Sequence, residues 1–292
     1  MPESVAFVQP RSIEQAVVCL ETYGEYAKIV AGATALTIML RQGLIHPTAL
    51  VSISGLPGLD RIEAANGYVH IGALATHRTV EQSRVVQHAI PVLAQVFGVV
   101  ANVRVRNAAT VGGVLAEADY ASDPPAVFVA LDADVTVHGP KGMRTIAAKD
   151  FFIGFYETAL EPSEIVTGVR VPIPPKRTHA VYEKYVTRSA EDRPCLGAVA
   201  VVRMAADGKT CEDLRVAVGA VAEVPQRFPE VEALALGTDL AEPVARAIAD
   251  GYAARVETLA DMRGSAWYRT EMIRVWVRRA IQRARDPRVT HA

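Results

Sequence analysis

The chain has 292 residues, half of them hydrophobic and 22% charged, with a net charge of −1. This composition excludes a disordered chain and predicts about two domains. It also excludes a bulk positive field for nucleic acid or acidic lipid. Three scattered cysteines, Cys19, Cys195 and Cys211, are too few for an all-cysteine iron–sulfur cluster and do not suggest a disulfide framework.

The opening Met1-Pro2-Glu3-Ser4 lacks a signal-peptide pattern, and no apolar stretch is long enough to span a bilayer. A cytoplasmic protein without a membrane span is expected. Residues 5–9 read as a strand ended by Pro10. Ser12 is the expected N-cap of a helix, with Gln15 as its reciprocal partner. Gly24 ends that helix, and residues 27–30 read as a buried strand. A second helix is expected over 35–42 and a strand over 50–53. Gly55, Pro57 and Gly58 mark a boundary. Next comes a hairpin turning at Asn66-Gly67. Helices are expected over 76–86 and 91–101, then a loop over 109–123. Ser122 is the expected cap of a helix carrying Pro124 and Pro125 in its first turn. Strands follow at 134–138 and 165–171, around a short helix near 150–152. Pro172-Ile173-Pro174-Pro175 reads as a linker. Beyond it, strands are expected at 180–187, 198–204 and 214–221, then helices at 231–236, 242–259 and 268–285. The last is amphipathic and Arg-rich.

Two glycine-bearing segments stand out. In Lys28-Ile29-Val30-Ala31-Gly32-Ala33-Thr34-Ala35-Leu36, small residues lie between a strand and a helix. Exposed N–H groups there would form an anion nest, and larger side chains would obstruct a phosphate. A plain strand-to-helix turn is the competing reading. Neither the Rossmann nor the Walker fingerprint is present. The second segment runs from Thr110 through Gly112, Gly113, Val114, Glu117 and Asp119 to Asp123. Gly-Gly lets a backbone approach a ligand. Asp119 and Asp123 can accept hydrogen bonds from ribose or ribityl hydroxyls, or serve as loop and capping acids. Facing each other across two small domains, the segments would hold a dinucleotide.

These segments resemble the FAD-binding medium subunits of the molybdenum hydroxylases. Ala31-Gly32-Ala33-Thr34-Ala35-Leu36 is similar to that family's first flavin loop. Val105-Arg106-Asn107-Ala108-Ala109-Thr110-Val111-Gly112-Gly113-Val114-Leu115, continuing to Ser122-Asp123, is similar to its second. The resemblance implies an α+β fold in three parts: a β-α-β FAD subdomain over 1–56, a mixed or antiparallel FAD subdomain over 57–175, and a C-terminal antiparallel sheet with helices over 176–292.

The resemblance also implies site residues. Ala31 through Leu36 would wrap the FAD pyrophosphate, with Lys28, Ile29 and Val30 leading in. Thr110, Gly112, Gly113, Val114 and Asp123 match flavin or ribose contacts, with Glu117 and Asp119 beside them. Val100 matches a position near the adenine, and Ile165 or Val166 one near the flavin ring. Lys184 matches a lysine at the flavin's polar edge, unless it is a surface strand lysine. No catalytic or metal-ligating residue is expected. Three departures weaken the match: Ala33 for glycine, Val114 for Asn or Ser, and Arg104 for Gln.

By this resemblance the chain is an electron-transfer subunit. It accepts electrons from the [2Fe–2S] clusters of a small partner subunit and passes them to an external acceptor. A large subunit carries the molybdenum cofactor, and the complex is a dimer of heterotrimers. Arg104, Arg106 and the Arg-rich terminal helix either dock the iron–sulfur subunit or are solvated faces. His77 reads as structural or near a partner surface. The alternative is an assembly or binding module of the same fold with weakened or lost flavin binding.

Overall fold

The computed structural model describes residues 5–286. The first part comprises β1 (Ala6–Val8), α1 (Ile13–Tyr23), β2 (Ala27–Val30), α2 (Leu36–Arg41) and β3 (Ala49–Ser52). Both β1 and β2 run parallel to the central β3. Ser12 caps α1 by accepting from the Gln15 amide. The Gln15 side chain accepts from the Arg11 amide, one residue earlier than a capping box places it. Gly24, at φ 73°, ends the helix. Ala16, Val17 and Leu20 of α1 pack on Ala49, Val51 and Ile53, and Ile165 joins them from a later strand.

The middle part opens with the hairpin β4 (Ile62–Ala65) and β5 (Tyr68–Gly72). Asn66 and Gly67 both have positive φ, which gives the type I′ geometry that this dipeptide favours. Helices α3 (His77–Gln82), α4 (Arg84–Ala89), α5 (Pro91–Gly98), α6 (Val103–Ala108), α7 (Val111–Glu117) and α8 (Pro124–Ala130) follow. Then come β6 (Asp134–Gly139), β7 (Gly142–Ala147), α9 (Ala148–Phe151), β8 (Phe152–Gly154), β9 (Glu157–Thr158) and β10 (Ile165–Pro172). The main sheet has the order β4-β5-β10-β6-β7 and is antiparallel throughout.

Several expectations need correction here. The helix expected over 76–86 divides at Ser83, whose side chain caps α4. Residues 109–123 are not all loop, because α7 occupies half of them. Two glycines hide its periodicity, and Thr110 supplies its N-cap by accepting from the Gly113 amide at 3.1 Å. Ser122 does not cap α8. Asp123 occupies the N-cap position without a side-chain cap. Pro124 and Pro125 remove N–H groups that a cap would otherwise satisfy.

The C-terminal part is the antiparallel sheet β11 (Thr178–Tyr185), β12 (Leu196–Met204), β13 (Cys211–Gly219), with α10 (Pro229–Glu232), α11 (Glu242–Arg255) and α12 (Ala266–Arg285). The central strand β12 is buried on both faces. Ala198, Ala200 and Val202 pack against α11 and α12, whereas Val199 and Val201 enter the middle core. This period-2 division locks the C-terminal sheet onto the middle part.

The arginines of α12 are largely used inside the chain. Arg269 is fully buried against Asp261 at 2.7 Å. Arg274 pairs with Asp250, Arg278 with Glu242 and Arg283 with Glu183. Arg279 lies over the Trp276 ring. These arginines are thus paired within the chain while Arg274, Arg278 and Arg283 remain partly exposed. Among the described residues no helix is long and apolar enough to cross a membrane, and no His/Cys/Asp/Glu group has the makings of a metal site.

Candidate cofactor-binding site

The chain leaves β2 at Val30 and enters α2 through Ala31-Gly32-Ala33-Thr34-Ala35. The first intrahelical bond runs from the Thr37 amide to Ala33 O. Among the described residues, the N–H groups of Gly32, Ala33, Thr34, Ala35 and Leu36 have no acceptor. Residues 31–36 are all half-buried, so the loop is partly open to solvent. Ala33 sits at φ 55°, in the left-handed region. This is the conformation a glycine would take without penalty, so the alanine carries strain. Lys28 is exposed, and Ile29 and Val30 are half-buried leads into the turn.

The second segment is pressed against the first. A Cβ on Gly32 would lie 1.9 Å from the carbonyl oxygen of Ala108, at the end of α6. Its neighbour Gly112 donates to Ala73 O at 2.8 Å, and a Cβ there would lie 2.6 Å from Ala73 Cβ. Gly113 is exposed in the first turn of α7, whereas Val114 is buried. Gly32 and Gly112 thus both lie where two chain segments meet.

Around this cleft lie three groups of polar side chains. Asp119 is buried. Its Oδ1 accepts from the Ala121 amide at 3.0 Å, and Arg193 Nη2 stands 2.7 Å from Oδ2. Beside it, burial and then the Asp119 charge push the half-buried Glu117 carboxyl up to about 7, with Arg193 opposing. Asp123 accepts from Tyr182 OH at 2.6 Å and from Lys184 Nζ at 3.2 Å. Burial raises its carboxyl to about 6, although Lys184 and Tyr182 hold it down. Lys184 also donates to Val99 O at 2.8 Å. Its side chain is 9% exposed, so it is no surface lysine; it joins β11 to the middle part.

The third group surrounds His77. The ring is buried edge-on against Phe97, and neither nitrogen has a hydrogen-bond partner among the described residues. Burial pulls its pKa down to about 4, so it is neutral near pH 7. His77 is therefore a core residue, and its amide binds Ala109 O just before the second segment.

The remaining expected residues are placed as follows. Val100 is half-buried in the turn between α5 and α6. Ile165 packs with the first part, whereas the adjacent Val166 points into the middle core. Arg106 makes three hydrogen bonds within the chain, to Glu81, Val100 and Ala101, so it is neither solvated nor free to dock a partner. Sequence reasoning missed this role, and it also missed Tyr182 and Arg193. Their signal is tertiary: each reaches a partner far away in the sequence.

The arrangement is a cleft for an extended dinucleotide. Free amides suit a pyrophosphate, Gly32 and Gly112 let the two segments close on their neighbours, and Gly113 is left exposed beside them. On these grounds the residues present fit FAD.

Comparison with known proteins agrees. Residues 3–174 match the family described as the FAD binding domain in molybdopterin dehydrogenase. Residues 181–284 match the CO dehydrogenase flavoprotein C-terminal domain. The nicotine 6-hydroxylase medium subunit of Paenarthrobacter nicotinovorans is 34% identical, over 96% of this chain and 97% of its own. The carbon monoxide dehydrogenase medium chain of Hydrogenophaga pseudoflava is 33% identical, over 97% and 98%. A solved structure of carbon monoxide dehydrogenase from H. pseudoflava superposes with a TM-score of 0.93 at 34% identity, covering 97% of this chain and 98% of that one.

The chain belongs to the FAD-binding medium subunits of the molybdenum hydroxylase family. It is thus a flavoprotein component of an oxidoreductase, with FAD as its cofactor.

Proposed function

We propose that this chain is the electron-transfer subunit of a heteromeric molybdenum hydroxylase. It accepts electrons from the [2Fe–2S] clusters of a small partner subunit and delivers them to an external acceptor. FAD, when bound, supplies the redox chemistry. The chain's own residues bind and orient it. The amides of Gly32 to Leu36 hold the pyrophosphate, the exposed Gly113 allows close approach while Gly112 seats α7 on Ala73, and Ile165 is the apolar candidate toward the ring. Lys184 and Asp123 fix the C-terminal sheet against the cleft, so that sheet and cleft stay in register.

The observation that carries this reading is the pairing of two glycine-bearing segments at Gly32 and Ala108, with five consecutive unpaired amides beside the contact. The relatives' names support the division of labour. They span carbon monoxide, nicotine and quinoline enzymes, all matched by one kind of chain. Substrate chemistry then resides in the large subunit, with its molybdenum cofactor. The dimer of heterotrimers, the cytoplasmic location and the division into 1–56, 57–175 and 176–292 are parts of the same proposal. The three larger sheets, one in each part, and three apolar clusters support that division.

The alternative, an assembly module with weakened flavin binding, draws on the strained Ala33. Purification of the chain with its native partners separates the two. Electron transfer requires bound FAD that is reduced when substrate is added to the complex. Intact complex with unreduced or missing FAD supports the assembly module.

A further inference from the structure

The turn between α5 and α6 is held in an unusual way. Three consecutive carbonyls are bound by two cations. Val99 O accepts from Lys184 Nζ at 2.8 Å, Val100 O from Arg106 Nη1 at 3.1 Å, and Ala101 O from the same Nη1 at 2.9 Å. Arg106 is itself anchored by Glu81, 3.2 Å from its Nε, and its side chain is 14% exposed. Ala101 sits at φ 43°, a left-handed conformation that costs an alanine energy and needs support from its surroundings.

The arrangement has a consequence for the opposite side of the turn. In a trans peptide, each C=O is antiparallel to the following N–H. With these carbonyls turned to the cations, the N–H groups of Val100, Ala101 and Asn102 point the other way. Among the described residues, none of them has an acceptor. The turn therefore presents a row of donors, backed by positive charge.

Its position is fixed by α6. That helix has six residues and rises about 9 Å. One end is the turn; the other is Ala108, in contact with Gly32 of the pyrophosphate loop. The turn thus stands about 9 Å along α6 from the Gly32–Ala108 contact, a span that one ribose and one base would fill. An adenine edge, with its ring-nitrogen acceptors, fits such a row.

We propose that Arg106, anchored by Glu81, is a positioning residue. It holds the 99–102 turn in its left-handed form, and through it gives the cleft its preference for the adenine half of the cofactor. This rests on the flavin reading above. It assigns to Arg106 a role in selecting FAD over FMN, rather than in docking a partner or in general folding.

The test is calorimetric titration of the purified full chain with FAD and, separately, with FMN, which lacks the adenosine half. The wild-type chain is expected to bind FAD at least tenfold more tightly than FMN. Arg106→Gln should lose at least tenfold in FAD affinity while FMN affinity stays within twofold. Arg106→Lys should recover part of the loss, and Glu81→Gln should reproduce part of it. Arg104→Gln, on the exposed side of the same helix, should change neither affinity. Equal losses for FAD and FMN in Arg106→Gln would overturn the proposal, because they indicate general loosening. Unchanged FAD affinity would overturn it as well. A wild-type chain that binds FMN as tightly as FAD removes the adenine role but leaves the flavin reading standing. Binding of neither flavin removes both.

Discussion

Gly32 and Ala108 meet so closely that a Cβ on the glycine would sit 1.9 Å from the alanine's carbonyl oxygen. The contact joins the loop after β2 to the end of α6, and so sets the width of the cleft. The obstructing atom is backbone, which cannot swing aside. Gly32→Ala should therefore push the two segments apart. The expected result is loss of FAD binding by at least tenfold, read by calorimetric titration, with a drop in thermal stability. Retention of both would mean that the cleft tolerates a wider spacing.

Ala33 gives the opposite expectation. Its φ of 55° suits glycine. In place, alanine costs about 1 to 2 kcal/mol, of which glycine's greater unfolded-state freedom takes back about 0.5 to 1 kcal/mol. Ala33→Gly should tighten FAD binding a few-fold, with little change in melting temperature. Weaker binding in this variant would show that the methyl group itself contacts the cofactor.

Glu117 predicts a pH dependence. Its carboxyl rises from 4.5 to about 7 on folding, first through burial and then through Asp119. The native state thus holds the proton more tightly than the unfolded chain. Stability from this group is present below about pH 4.5 and is lost as pH rises through about 7. Glu117→Gln should match wild type at pH 4.5 and exceed it at pH 8 by about 1 to 3 kcal/mol in urea unfolding. Parallel pH profiles for the two proteins would contradict this.

His77 predicts the reverse slope. Burial lowers its pKa from 6.5 to about 4, so the unfolded state binds the proton first. The group's contribution is intact above about pH 6.5 and is lost as pH falls through about 4. This amounts to about 3 kcal/mol over that window. His77→Leu, which needs no partner for a ring nitrogen, should flatten the acid limb of the stability profile. An unchanged limb would place the acid sensitivity elsewhere.

Much of the fold was legible because the sequence punctuates it. Ser12, Gly24 and Asn66-Gly67 each announced a boundary by local chemistry, and each stands where expected. The second cofactor segment was legible as a site but not as a helix. A glycine stands inside this helix at 112 because Ala73 leaves no room for a side chain, and that is a tertiary fact. The same limit hid Arg106. Its charge suggested a surface role, whereas its hydrogen bonds run to carbonyls that no local pattern reveals. The strain at Ala33 was posed by the sequence as a question about φ, and only the backbone answered it.

On the proposed function, this chain holds FAD and relays electrons from the iron–sulfur subunit to an external acceptor. The most direct measurement is the visible spectrum of the complex isolated through this chain, before and after substrate. The account predicts one FAD per chain, molybdenum and iron in the co-purified subunits, and bleaching of the flavin band on substrate addition. A complex with molybdenum and iron but no flavin, or with flavin that substrate leaves oxidised, would contradict it.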